Sequence, residues 1–280
     1  MSHKYKKRDG RRRKEISEDD KILLSLLDIQ SQAIQVYLLA DVFFYNFAII
    51  MFESTFSKNS NNNFNDNILL INGSGLSLIA SVVLSDVSFI AYNRLREKEL
   101  NKKIDYTSNA ERGIAIASIY TILLFFINLI GDIELYNRSN TCKVEVDDNW
   151  ISVSIIQIKA YALRFLADYI SLTATLESIE LVKSKYNENS NNTNNMPNPD
   201  IPVVIASILY LIQRIMLLYV SVQIYYYNYR DCKEVEGLNY LEPNILAIIG
   251  SVFGTIANII ALQSFLEIYE RDIDRPIFGR

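Results

Sequence analysis

The feature that most constrains this chain is a series of six apolar segments, each long enough to cross a lipid bilayer as a helix. At about 1.5 Å per residue, about 20 residues of α-helix cover the ~30 Å hydrocarbon layer. Segments 113–130 and 243–266 contain no Asp, Glu, Lys or Arg, and a soluble helical core does not account for uncharged runs of that length. The sequence therefore predicts an all-α integral membrane protein with six transmembrane helices. These are residues 33–52, 68–92, 113–130, 151–182, 202–227 and 243–266.

The basic residues are unevenly distributed along the chain. If the N-terminus is cytoplasmic, the segments on that side hold nineteen Lys and Arg, whereas the outer loops hold five. Since basic loops stay in the cytoplasm, we expect both termini there and a multi-pass protein of a plasma membrane. The excess of Asn, Ile and Lys is typical of AT-rich bacterial genomes. Residues 1–16 are predicted to form a disordered basic cytoplasmic tail, and residues 17–280 a single six-helix membrane domain.

The fourth apolar segment repeats the first in sequence. When each residue of 29–58 is compared with the residue 127 positions later, nine of the 30 are identical, and Asp41 aligns with Asp168. An Asn-rich stretch follows both copies. This pattern predicts a tandem 3+3 inverted repeat, residues 17–135 and 150–270, of the kind found in transporters. Chance similarity in a chain rich in Ile, Leu and Asn is the alternative explanation.

Charged side chains interrupt four of the six segments. A lone charge at the centre of a membrane helix costs roughly 2.5–3.5 kcal/mol, so we expect acids and bases at this depth to pair with one another. Arg164 and Asp168 are four residues apart and can pair within one helix, which leaves Asp41 and Asp86 as candidate partners for Arg214. Gln157 shares a helix face with Arg164 and Asp168. The candidate intramembrane polar site comprises Asp41, Asp86, Gln157, Arg164, Asp168 and Arg214.

Two interpretations of these charges stay open. They line a polar cavity that binds an ion or small polar solute, because ionisable groups inside membranes usually mark a functional site. Alternatively, they form a structural ion-pair network that fixes how the helices pack. Both interpretations fit the balance of three acids, Asp41, Asp86 and Asp168, against three bases, Lys159, Arg164 and Arg214.

Small residues predict where helices approach each other closely. Gly250 and Gly254 lie one turn apart in the sixth segment, and Ser77 and Ser81 do so in the second, as in close helix packing within lipid. The two cysteines, Cys142 and Cys232, both fall in predicted outer loops. An oxidising exterior would permit a disulfide between them, with two unpaired thiols as the alternative.

The sequence contains no catalytic motif that we can identify, so we expect no enzyme activity. Its one histidine, His3, lies in the tail, which argues against a metal site or a cofactor that needs histidine ligands. The basic tail lacks a folded platform for nucleic acid. The expected partners are the lipid bilayer and an ion or small polar solute, and the leading hypothesis is a small transporter or channel-like protein. The competing hypothesis is a non-transporting membrane sensor, immunity or scaffold protein. The sequence does not indicate an oligomeric state.

Overall fold

The computed structural model describes residues 16–56, 66–137, 147–186, 198–236 and 242–271, with side chains in the fourth range described up to residue 231. Across these ranges the chain forms six α-helices and no strand, and each helix is long and apolar enough to span a membrane. This confirms the predicted all-α, six-span fold. The helices are α1 (Glu18–Phe56), α2 (Asn67–Leu100), α3 (Asn109–Asn137), α4 (Asp148–Ser184), α5 (Asp200–Glu236) and α6 (Glu242–Glu270).

Polar side chains determine where two of the helices begin. The Ser17 hydroxyl accepts a hydrogen bond from the backbone N–H of Asp20 at 3.1 Å, as expected for the residue preceding α1. At the start of α4, the Asp147 carboxylate accepts the backbone N–H of Trp150 at 2.7 Å. In both helices an acidic residue occupies the first turn, where it stabilises the positive end of the helix dipole.

The six helices close into a ring. Packing contacts connect α1 with α2 and α4, α3 with α2 and α6, and α5 with α4 and α6. The first three helices form one half of the ring and the last three the other, so the halves meet along α1–α4 and along α3–α6. Helix α2 lies across the ring from α5. This order is compatible with an inverted repeat, which remains a prediction.

The outer surface of the ring is apolar. Large aliphatic side chains point outward from most of the helices, among them Ile79 at 60% exposure, Ile215 at 53% and Leu39 at 52%. A soluble monomer rarely exposes large contiguous apolar surface. Lipid is a suitable environment for it, and the helices therefore contact a bilayer with this face.

Ionic contacts join the helix ends at the side of the bundle where α1 begins and α6 ends, here called the terminus end. Asp19 in the first turn of α1 accepts a hydrogen bond from Arg94 at 2.6 Å and pairs with Lys98 at 3.1 Å, both in α2. Arg271, directly after α6, pairs with Glu111 in the first turn of α3 at 2.6 Å. These contacts also show that α3 and α6 run antiparallel.

Aromatic side chains pack at the other side of the bundle, here called the opposite end. The rings of Trp150 and Tyr227 meet edge to face, with centroids 5.1 Å apart. The Tyr227 hydroxyl donates to the Asp147 carboxylate at 2.7 Å, and Arg230 lies 3.7 Å from the same carboxylate. These contacts join α4 to α5.

The same contacts predict a pH dependence of stability. Hydrogen bonds from the Trp150 amide and the Tyr227 hydroxyl hold the pKa of Asp147 below its ordinary value of 3.8. A carboxylate with a lowered folded-state pKa stabilises the fold above its unfolded pKa, and this contribution is lost as the pH falls through the folded value. We expect Asp147→Asn to melt below the wild type at pH 7, and the difference to shrink below pH 3.8. Thermal unfolding of both proteins in detergent, from pH 7 to below pH 3.8, measures this difference in melting temperature. A difference that does not change with pH would contradict the prediction.

Close packing between α3 and α6 depends on glycine. A Cβ atom built on Gly250 would lie 2.2 Å from Asn128 Oδ1 and 3.3 Å from the backbone oxygen of Leu124, both in α3. One built on Gly254 would lie 3.0 Å from Leu124 Cδ2. Ser77 and Ser81 are buried on α2. All four residues predicted to mediate helix packing therefore lie on internal faces of their helices.

Two predictions concern residues outside the described ranges. The predicted disordered tail, residues 1–16, falls outside them except for Ile16. Cys142 is also outside, and Cys232 lies in α5 beyond the described side chains. The predicted disulfide therefore stays a prediction.

Candidate functional site at the centre of the helix ring

The polar face predicted for α4 points into the ring. Arg164 and Asp168 are each 3% exposed, although they lie in the middle of a helix whose outer face is apolar. Ser171, one turn further, lines a cavity inside the ring, and Thr175 is buried. The spacing of these residues therefore predicts correctly which face of α4 is internal.

Arg164 is the centre of an ion cluster that joins α1, α2 and α4. Its Nε lies 2.7 Å from Asp41 Oδ1 and 3.8 Å from Asp168 Oδ2. Its Nη2 donates to the Ser77 hydroxyl at 2.8 Å. The contact with Asp41 is close but lacks hydrogen-bond alignment, since neither oxygen of that carboxylate accepts a hydrogen bond from the residues described. One guanidinium thus faces two buried carboxylates, and it attracts them mainly through charge.

Aromatic rings enclose the Arg164 guanidinium. Its central carbon lies 4.9 Å from the ring centroid of Phe44, 5.0 Å from that of Phe125 and 5.5 Å from that of Tyr37. A cation over an aromatic face gains about 0.5–2 kcal/mol, more when water is excluded. These rings partly replace the solvation that the guanidinium loses on burial.

Arg214 on α5 has a different environment. It is 6% exposed, and its guanidinium carbon lies 5.4 Å from the centroid of the Phe125 ring. Among the residues that the structure describes, none accepts a hydrogen bond from Arg214 or forms an ion pair with it. Asp41, which the sequence offered as a partner for Arg214, instead pairs with Arg164. The reason is that α1 packs against α4, whereas α5 is not its neighbour in the ring.

The structure does not bring Asp86 and Gln157 into this cluster. Asp86 is exposed on α2, because it lies about 100° around the helix from Ser85, which belongs to the buried face. It is therefore not the partner of Arg214 either. Gln157 is half-buried on α4, about two turns from Arg164 toward the opposite end, and does not line the cavity. Lys159 is exposed on the outer face.

A cavity of about 190 Å³ lies inside the ring and is lined by residues of all six helices. Arg164, Arg214 and Phe125 lie at its inner limit, near the middle of the bundle. From there it extends toward the terminus end, where Val203 in the first turn of α5 and Phe265 near the end of α6 line it. The surface of the cavity is mainly apolar. Besides the two arginines, its polar lining residues are Gln30, Tyr37, Ser81, Ser88, Ser118, Thr121, Asp168, Ser171, Ser207, Tyr210 and Asn258.

The opposite half of the ring is filled by packed side chains. The rings of Phe44 and Tyr161 stack with centroids 5.3 Å apart and planes inclined by 7°. Phe47, Leu70 and Leu217 belong to the same buried cluster. Arg164 therefore lies between a cavity on one side and an apolar core on the other.

Several residues of the site could not be found from the sequence. Tyr210 donates a hydrogen bond to Asp168 Oδ1, and Phe125 contacts both buried arginines. Ser77 was predicted to mediate packing and also accepts the Arg164 hydrogen bond. Tyrosine, phenylalanine and serine are common in apolar helices, so no sequence signal marks these three as contacts of the buried charges. Among the described residues, no group of three or more His, Cys, Asp or Glu is placed to hold a metal ion.

Comparison of the chain with protein-family models, with curated protein sequences and with solved structures gives no match.

Proposed function

We propose that this protein is a small multi-pass transporter of the plasma membrane, with both termini in the cytoplasm, and that it carries a small polar solute through the central cavity. The observation that supports this most is the position of the cavity. It reaches from the buried charges at mid-bundle toward one end, while packed aromatic side chains fill the other half. Alternating access requires a site near the midplane with a route toward one side, and the direction in which the cavity extends supports such a route. We propose no catalytic role.

The charge arrangement also favours a functional site. A purely structural network would satisfy every buried charge within the protein, whereas Arg214 has no ion-pair partner among the described residues. Buried unpaired charge is costly, and a bound solute is one way of offsetting that cost. The alternative, a sensor, immunity or scaffold protein, gives no reason for a cavity lined by six helices.

Transport is tested by reconstituting the purified protein into liposomes and measuring uptake of radiolabelled lactate, alanine and choline, an anion, a zwitterion and a cation. We expect uptake of at least one solute, and its loss in Asp168→Asn, because Asp168 lies beside Arg164 and Tyr210 in the cavity. The control is Asp86→Asn, the same change on the exposed face of α2. No uptake above empty liposomes would contradict the proposal, as would equal uptake by Asp168→Asn and wild type.

The orientation has its own test. In a variant lacking both native cysteines, we expect Ser54→Cys to react with a membrane-impermeant maleimide added to intact cells, and Lys183→Cys to react only after lysis. Both positions are exposed, Ser54 in the last turn of α1 and Lys183 in the last turn of α4. Labelling of Lys183→Cys from outside would reverse the proposed topology.

A further inference from the structure

We propose that the central cavity binds a small organic anion with one negative charge, whose carboxylate pairs with Arg214 and whose apolar part lies along the cavity wall. This inference names the solute class of the transporter and so rests on the proposed function. Its test measures binding rather than transport, so that either can fail without the other.

The first support is that the two buried arginines differ in their ion-pair and hydrogen-bond partners. Arg164 has Asp41, Asp168 and Ser77 within ion-pair or hydrogen-bond distance. Arg214 is equally buried and lines the same cavity, but no described residue pairs with it or accepts a hydrogen bond from it. A guanidinium carries five N–H donors in a planar fork that fits a carboxylate with two parallel hydrogen bonds. An anion in the cavity would satisfy them.

The second support is that the negative charges beside the cavity are covered. Asp168 Oδ1 accepts the Tyr210 hydroxyl, and Asp168 Oδ2 and both Asp41 oxygens have no accessible surface and lie beside Arg164. The cavity therefore has an accessible positive group and shielded negative ones. A cationic solute would find a guanidinium and no open carboxylate, so this arrangement favours anions.

The third support is the way in which neighbouring residues position Arg214. Its guanidinium lies over the Phe125 ring. Its Cδ and Nε would lie 3.1 and 3.2 Å from a Cβ atom at Gly254, so that only glycine leaves this side chain in place without a shift. A long side chain held on two sides loses little further freedom when it binds a ligand.

The fourth support concerns size and polarity. The volume of about 190 Å³ is smaller than that of typical cavities for drug-sized ligands. Ile34, Leu84, Ile114, Val203 and Phe265 line it between Arg214 and the terminus end. A mainly apolar wall, with one guanidinium at the inner limit that has no ion-pair partner among the described residues, suits a short-chain carboxylate better than a fully hydrated inorganic ion.

The experiment compares ligands of one shape and different charge by thermal unfolding in a neutral detergent. We expect butyrate to raise the melting temperature in a saturable manner, as any ligand that binds the folded state does. Butyramide, which is uncharged, and butylammonium, which is positive, should have no effect. Arg214→Gln should weaken the butyrate effect at least tenfold, since it removes a buried charged partner, whereas Arg214→Lys should retain part of it.

The matched control is Lys159→Gln, which removes the same charge from the outer face of α4 and should leave the butyrate effect unchanged. Since Arg214 has no described ion-pair partner, Arg214→Gln should fold. Three results would overturn the proposal: butyramide acting as strongly as butyrate, Arg214→Gln retaining the full effect, or chloride replacing butyrate at equal concentration. Binding of butyrate without uptake of any solute in liposomes would contradict only the transport proposal. Uptake of alanine or choline without binding of butyrate would contradict only the proposal of an anion site.

Discussion

Arg164→Gln is expected to cause the largest loss of stability of any single charge-removing substitution in this protein. It leaves two buried carboxylates, Asp41 and Asp168, without the guanidinium that pairs with both, and it removes the hydrogen bond to Ser77. Removing one partner of a buried ion pair costs about 3–5 kcal/mol because the remaining charge stays uncompensated. For a chain of this size that corresponds to a fall in melting temperature of roughly 6–20 °C. Thermal unfolding in detergent measures it.

Two further variants show whether charge is the cause. Asp86→Asn, which removes an exposed carboxylate, should change stability by no more than about 0.5 kcal/mol. The double variant Arg164→Gln with Asp41→Asn should be more stable than Arg164→Gln alone, because it removes one of the two uncompensated acids. A double variant no more stable than the single one would show that Arg164 stabilises the fold through its aromatic and hydrogen-bond contacts.

The second large effect is expected at the α3–α6 contact. Gly250→Ala places a methyl group 2.2 Å from Asn128 Oδ1 and 3.3 Å from the backbone oxygen of Leu124. The Asn128 side chain can move, but the backbone of α3 cannot retreat without separating the helices. Overpacking of this kind costs about 1–3 kcal/mol. We expect a lower melting temperature and lower yield of folded protein.

Gly75→Ala is the matched control. A Cβ atom at Gly75 meets no heavy atom within 4 Å, and alanine is favoured over glycine inside a helix by about 1 kcal/mol. The same chemical change should therefore be neutral or stabilising in α2 and destabilising in α6. Equal effects at the two positions would mean that helix propensity, rather than the approach of α3 to α6, explains the result.

The sequence predicts the fold well because bilayer thickness and helix rise together determine how long an apolar segment must be. It also predicts the internal face of α4, since Arg164 and Asp168 are too costly to place in lipid. The start of α1 also agrees with the sequence, because serine is favoured at the residue before a helix and the Ser17 hydroxyl accepts the Asp20 amide.

The pairing of charges between helices is less predictable. The expectation that charges at this depth meet one another holds for Asp41, Arg164 and Asp168, but not for Asp86. Partner choice depends on which helices are neighbours, and the sequence does not give the order of helices in the ring. Asp41 is beside Arg164 because α1 packs on α4, and Arg214 is left without a carboxylate for the same reason.

The two contacts between the halves of the ring are chemically unlike. Along α1–α4, the Asp41–Arg164 pair and the Gln30–Thr175 hydrogen bond at 3.3 Å fix one alignment, because each needs its partner at a set height. Along α3–α6, glycines bring the helices close at mid-bundle, and the Arg271–Glu111 ion pair lies at the terminus end. Relative motion of the halves would therefore be resisted at mid-bundle along α1–α4, whereas along α3–α6 it would have to break a pair at the end of the bundle. Such a molecule would open as a clamshell does, with its fulcrum at α1–α4 and its latch at Arg271.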